Sequence, residues 1–119
     1  MEETNRKKLL EAIYEGLLNV KGEEIVSLDL RKVDGAVCKY FIICGATSTT
    51  QVKGLADSVD KEVKEKTGER VWRKEGFDNM TWVILDYADV VVHIFQEEAR
   101  KFYQLEELWA DAKLTKIED

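Results

Sequence analysis

The sequence predicts an α/β domain with five strands in the order αββαβββα. Three observations carry the prediction. Two apolar stripes recur at helical spacing, five short β-rich runs lie between and after them, and glycine turns punctuate a chain with no proline, repeat or low-complexity stretch. With 119 residues, 45% of them hydrophobic, the chain suits one compact domain over 1–119, and a domain of this size buries roughly two-thirds of the surface that it exposes unfolded.

The elements follow in order. Leu9, Leu10, Ile13, Leu17 and Val20 mark a first helix, with Thr4 or Asn5 available as its cap and Lys21-Gly22 as its stop. Residues 24–30, "EIVSLDL", set Val26, Leu28 and Leu30 against Ser27 and Asp29, the period of a strand near an edge with one wet face. "YFIIC" at 40–44 is apolar on both sides and reads as a central strand. Ser48 to Gln51 has the form of a capping box, and Val52, Leu55, Ala56, Val59 and Val63 then carry a helix to Thr67-Gly68. Strands follow at 70–74, about 80–86 and 89–95. A last helix begins at "QEEARKFYQLEELW", where Glu97 and Glu98 suit the positive end of the helix dipole. "KLTKIED", about 113–119, reads as a frayed tail.

The formal net charge of −6 and the pI near 4.9 argue against nucleic-acid binding through the whole surface, which relies on clustered Lys and Arg, so no direct DNA contact is expected. An acidic body suits a basic protein partner. Cys38 and Cys44, with a single histidine, are too few soft ligands for structural zinc; if 38–44 is extended their thiols lie about 20 Å apart, too far for a disulfide. Two buried thiols of a reducing compartment, an N-terminus without an apolar signal region and no long apolar run predict a soluble cytoplasmic protein with no membrane contact.

"WVILDYADVVVHIF", residues 82–95, places two aspartates and the only histidine close together. A turn on Tyr87-Ala88 would pair Leu85 with Val90, Ile84 with Val91, Val83 with Val92 and Trp82 with His93. One face is then aliphatic: Thr81, Val83, Leu85, Val90, Val92 and Ile94. The other is mixed: Trp82, Ile84, Asp86, Asp89, Val91, His93 and Phe95. Asp89 and His93 share that face, but four residues of strand separate them by about 13 Å, so a shared metal ion is not expected. Asp86 and Asp89 read first as turn formers facing each other at the tip, and His93 as an aromatic cross-strand partner of Trp82 rather than a base. A tryptophan among aliphatics with an acidic rim has the make-up of a binding hot spot.

Two further features have plainer readings. "GATSTT", residues 45–50, joins a strand to a helix N-terminus, as anion sites do, but it has one glycine and no GK[ST], so an ordinary turn is the better reading. Phe102, Tyr103, Leu105, Leu108 and Trp109 crowd the C-terminal helix. Most of these suit packing, with Phe102, Tyr103 and Trp109 as the candidates for a dimer contact.

"YFIICGATSTTQVKGLAD", "KEG" and "WVILDYADVVVHIFQEEARKFYQLEELW" together resemble the ribosomal silencing factor family, RsfS, also called Iojap or DUF143. The resemblance spans about 24–112, and its last segment is the specific one. It implies a mixed sheet flanked by helices, similar to the nucleotidyltransferase fold, without enzyme activity, cofactor, metal or small-molecule substrate. No strand here carries the D-x-D pair that nucleotidyl transfer needs. It implies a homodimer that binds the large ribosomal subunit through its universal protein L-fourteen, blocks joining with the small subunit and represses translation under nutrient limitation. Carried onto this chain, the family's contact positions fall on Trp82, Ile84, Asp86 and Asp89, with Tyr87 and His93 beside them. Lys39 departs from the family's Asp, and Ala88 from its turn Gly, which disfavours a type I′ tip. The rival readings are a degenerate nucleotide-binding enzyme using "GATSTT" with Asp86 or Asp89, and a plain dimerisation module.

Overall fold

A computed structural model describes the backbone of residues 2–118 and the side chains of 4–118. The elements are α1 (Glu2–Asn19), β1 (Glu23–Asp29), β2 (Tyr40–Ala46), α2 (Thr49–Thr67), β3 (Arg73–Glu75), β4 (Trp82–Asp86), β5 (Val90–Gln96), α3 (Glu97–Tyr103), α4 (Leu105–Leu108) and β6 (Lys113–Lys116). The strands form one six-stranded sheet in the order β3-β4-β5-β2-β1-β6. Only β2 and β5 run parallel; the other neighbours are antiparallel, so the sheet is mixed as expected.

Local chemistry explains most boundaries. Ser48 caps α2, its Oγ accepting the Gln51 N–H at 3.1 Å, and Gly68 closes it in the left-handed conformation at φ 76. Gln51 reaches back one residue further than the expected box, its Oε1 accepting the Thr47 N–H at 2.8 Å. At the end of α1, Gly22 sits where a Cβ would come within 2.3 Å of the Cys44 sulfur. At the crossing of α1 and α2, a Cβ on Gly16 would lie 2.7 Å from the Val59 Cα. Glycine at both places lets backbone and core approach closely.

Five expectations about the elements need correction. α1 already includes Thr4 and Asn5, so neither caps it. The third strand covers 73–75 rather than 70–74 and is short, exposed and at the sheet edge. The last helix breaks at Gln104, which turns left-handed at φ 47 and separates α3 from α4. The expected tail carries a sixth strand, β6, antiparallel to β1 from Asp29↔Lys113 to Val26↔Lys116. β1 is therefore paired on its outer edge, and Ser27, expected on a wet face, is buried on the α1 side of the sheet, where it meets Tyr14.

The sheet buries apolar side chains on both faces. α1 and α2 cover one, where Leu9, Ile13, Leu17, Val52, Leu55 and Val59 meet Ile42, Val83, Leu85, Val92 and Ile94. Phe41, Ile43, Val91, Phe95 and Leu105 build the other, with Val26, Leu28 and Leu30. Each large apolar side chain buried this way contributes about 1.5–3 kcal/mol of transfer free energy.

The hairpin register differs from the expected one by two residues. Trp82 pairs with Phe95, Ile84 with His93 and Asp86 with Val91. The Tyr87 N–H donates to the Val90 carbonyl at 2.9 Å, so Ala88-Asp89 is the turn. A slip of two keeps every strand residue on its expected face, whereas a slip of one would exchange the faces. What changes is the tip. Asp89 leaves the strand face for the turn, and Tyr87 joins the aliphatic face, buried among the α1 and α2 contacts.

Candidate docking face

The mixed face of the β4–β5 hairpin is an aromatic stack with an exposed rim. Trp82 opposes Phe95 across the strands, ring centroids 4.8 Å apart and planes 26° apart. Tyr103, projecting from α3, lies over Trp82 at 4.7 Å, and Phe102 meets Tyr103 edge-on at 5.0 Å. Trp82 is half-buried, Tyr103 is 48% exposed and Phe102 is 80% exposed. Such geometries add about 0.5–1.5 kcal/mol per pair beyond area burial.

His93 lies beneath this stack on β5. The Trp82 Nε1–H donates to His93 Nδ1 at 3.1 Å, and Phe41 packs edge-on against the imidazole at 4.6 Å. Burial alone pulls the His93 pKa down from its ordinary 6.5 to about 4. Cross-strand pairing places Ile84, not Trp82, directly opposite His93; the indole reaches it diagonally.

The expected contact residues divide accordingly. Trp82, Ile84 and Asp86 lie together, half-buried, and Asp89 is exposed at the tip. His93 and Tyr87, each 5% exposed, are not surface residues. His93 is covered because α3 and α4 bring Tyr103, Leu105 and Trp109 over this part of the sheet, and Tyr87 because its side chain points to the α1–α2 side. The candidate dimer residues also separate. Trp109 is half-buried and packs edge-on against Phe41 at 5.8 Å, while Phe102 and Tyr103 remain outside. The sequence keeps Phe102 and Tyr103 apart from the Trp82 face; the aromatic pair at the end of the short helix that follows β5 is the available signal.

The two aspartates do not face each other as expected. Asp86 Oδ1 accepts the Ala88 N–H at 2.7 Å, fixing the tip from within. Asp89 meets Arg6 of α1 at 3.4 Å and Lys39 at 3.9 Å, so the Lys departure places a cation against this carboxylate. Ala88 takes φ 72 while Asp89 stays at negative φ, so the tip is not type I′.

Among the described residues, no group of three or more His, Cys, Asp or Glu side chains is arranged to hold a metal ion. Cys38 and Cys44 are free, and burial pushes their pKa values up to about 11 and about 12, away from thiolate chemistry. In the "GATSTT" turn, Gln51 takes the Thr47 N–H and hydroxyl, while its own amide donates to the carbonyls of Val20 and Lys21. The cleft of about 460 Å³ beside Gly45 has five glutamates in its wall, and its Arg100 is already paired with Glu106 at 3.1 Å. That is a poor cradle for phosphate.

The family model described as ribosomal silencing factor during starvation, RsfS, matches residues 3–119. The chain belongs to the RsfS family. The ribosomal silencing factor RsfS of Bacillus subtilis is 36% identical over 114 residues, covering 96% of this chain and 95% of that protein. A crystal structure of protein CV0518 from Chromobacterium violaceum superimposes with a TM-score of 0.81 at 34% identity, covering 87% of this chain and 85% of that one. A mouse protein named mitochondrial assembly of ribosomal large subunit protein 1 is 31% identical over 72 residues, 59% of this chain and 32% of its own length. RsfS membership thus accounts for the mixed six-stranded sheet, and no helix among the described residues is long and apolar enough to cross a membrane.

Proposed function

We propose that this RsfS-family protein represses translation by docking on the large ribosomal subunit and sterically blocking its joining with the small one. Trp82, Ile84 and Asp86 form the centre of the docking face, Tyr103 and Phe102 extend it, and the partner is the subunit's universal protein L-fourteen. Family membership and the large-subunit name of the mouse relative support the subunit as partner. The carrying observation is the stack of Tyr103 on Trp82 on Phe95, an aromatic anchor left half open at the surface. Action is by binding rather than catalysis, in the cytoplasm. The outward Phe102 and Tyr103 favour a homodimer in the free protein.

The test mixes purified large and small subunits with the protein and follows joining on gradients. Wild type is expected to keep the subunits apart and to travel with the large one. Trp82→Ala is expected to keep its fold, leave the large subunit and permit joining. A Trp82→Ala protein that co-sediments undiminished would sink the assignment of this face; wild type that never blocks joining would sink the mechanism. The nucleotide-enzyme reading loses ground to the five glutamates in the wall of the cleft beside Gly45, and Mg-nucleotide binding at micromolar affinity in a calorimeter would restore it.

A further inference from the structure

His93 holds a hydrogen bond that its place in an aromatic stack does not require. An indole N–H can only donate, so the Nδ1 that it meets at 3.1 Å carries a lone pair, and the ring proton resides on Nε2. Nε2 is itself buried without a hydrogen-bond partner. The histidine thus retains an unpaired N–H in order to accept from Trp82, a cost that a phenylalanine here would not bear. A phenylalanine would instead leave the indole N–H without its acceptor. Trp82 is consequently fixed on three sides: Phe95 stacks below, Tyr103 leans above, and His93 pins the ring edge.

We propose that His93 is a positioning residue for the docking face: its unprotonated Nδ1 fixes the Trp82 ring in the orientation that the partner meets, and engages the only hydrogen-bond donor on that side chain. The proposal rests on the docking role assigned to Trp82. It also specifies the partner's chemistry at this point. With its N–H engaged internally, Trp82 offers apolar ring surface and π density, which suit an aliphatic or cationic side chain and not a lone acceptor. A ring ordered before contact also loses less freedom on binding.

Two substitutions separate positioning from bulk. His93→Leu keeps an apolar side chain and removes the acceptor; His93→Asn sets a carbonyl oxygen near the place of Nδ1. The Trp82 indole resonance, assigned by its absence in Trp82→Phe, is followed by NMR together with its solvent exchange, and the Kd for isolated large subunits is measured alongside. His93→Leu is expected to shift that resonance, speed its exchange about tenfold and weaken binding about tenfold, with His93→Asn recovering most of each. Should His93→Leu fail to fold, His93→Gln, whose amide sits nearer Nε2, is expected to show the same losses. Unchanged exchange, or changed exchange with an unchanged Kd while Trp82→Ala abolishes binding, overturns the positioning role alone. An unchanged Kd in Trp82→Ala as well removes the docking face with it, while the exchange rate still reports whether the two rings are bonded.

Discussion

The two faces of the sheet are both buried, yet they are built from different chemistry. Under α1 and α2 the contacts are aliphatic and closed: Ile13, Leu17, Val52, Leu55, Val59, Val92 and Ile94 have no exposed surface. On the opposite face, under α3 and α4, aromatic rings join the aliphatics around Trp82, a histidine is buried among them, and the cover ends at Trp82, leaving Tyr103 and Phe102 outside. A closed aliphatic face does one thing, which is to hold the fold. A half-closed aromatic face supports the fold and also offers large, rigid, oriented surface to a partner.

The sharpest way to break this contrast is to damage each face separately. Leu17→Ala removes a side chain with no exposed surface from the α1–α2 layer, and a loss of about 2–5 kcal/mol of stability is expected in chemical unfolding. The molecules that remain folded should bind large subunits as wild type does. Trp82→Ala should show the reverse balance, losing binding with the smaller stability change. Equal effects of the two substitutions on the affinity of folded protein would mean that the faces are not functionally distinct.

Acid attacks the aromatic face through its histidine. The unfolded chain protonates its histidine near 6.5, whereas burial delays protonation of folded His93 until about 4. Between those values unfolding takes up a proton, so this contribution to stability is intact above about pH 6.5 and declines as pH falls. By pH 4 the loss reaches about 3 kcal/mol, each pKa unit being worth about 1.4 kcal/mol. Wild type measured against His93→Asn in urea at a series of pH values should converge on the variant by roughly that amount between pH 7 and pH 4. A difference independent of pH would show that His93 titrates in the fold much as it does in the unfolded chain.

How far the sequence revealed these faces depends on the range of each signal. β2 and α2 were legible because their determinants are local: an apolar run, a capping serine at 48 and a glycine stop at 68. The sorting of the β4–β5 hairpin into two faces was legible too, and it survived a two-residue error in register because side chains alternate with period two. Depth was not legible. Whether His93 is covered depends on where α3 and α4 fold back, and whether Tyr87 is covered depends on α1 and α2. β6 was hidden for a related reason. "KLTK" is exposed throughout and has no hydrophobic pattern of its own, so only its hydrogen bonds to β1 make it a strand. Within the candidate site, Trp82, Ile84 and Asp86 were legible as one face, while the contribution of Tyr103 required the chain reversal after β5.

The smallest expected effect lies at the hairpin tip, where the two faces join. Ala88 holds φ 72, and the Asp89 N–H closes onto the Tyr87 carbonyl at 3.0 Å around it. A left-handed conformation costs a non-glycine residue about 1–2 kcal/mol. Ala88→Gly relieves that strain but loosens the unfolded chain by about 0.5–1 kcal/mol. The balance predicts a gain of about 0.5–1 kcal/mol, or a few degrees in Tm. Because Ala88 is exposed and its Cβ belongs to neither the Trp82 stack nor the aliphatic core, affinity for large subunits should not change. A loss of affinity in the stabilised variant would extend the docking face to the tip, and would make the strained alanine part of the surface that the partner reads.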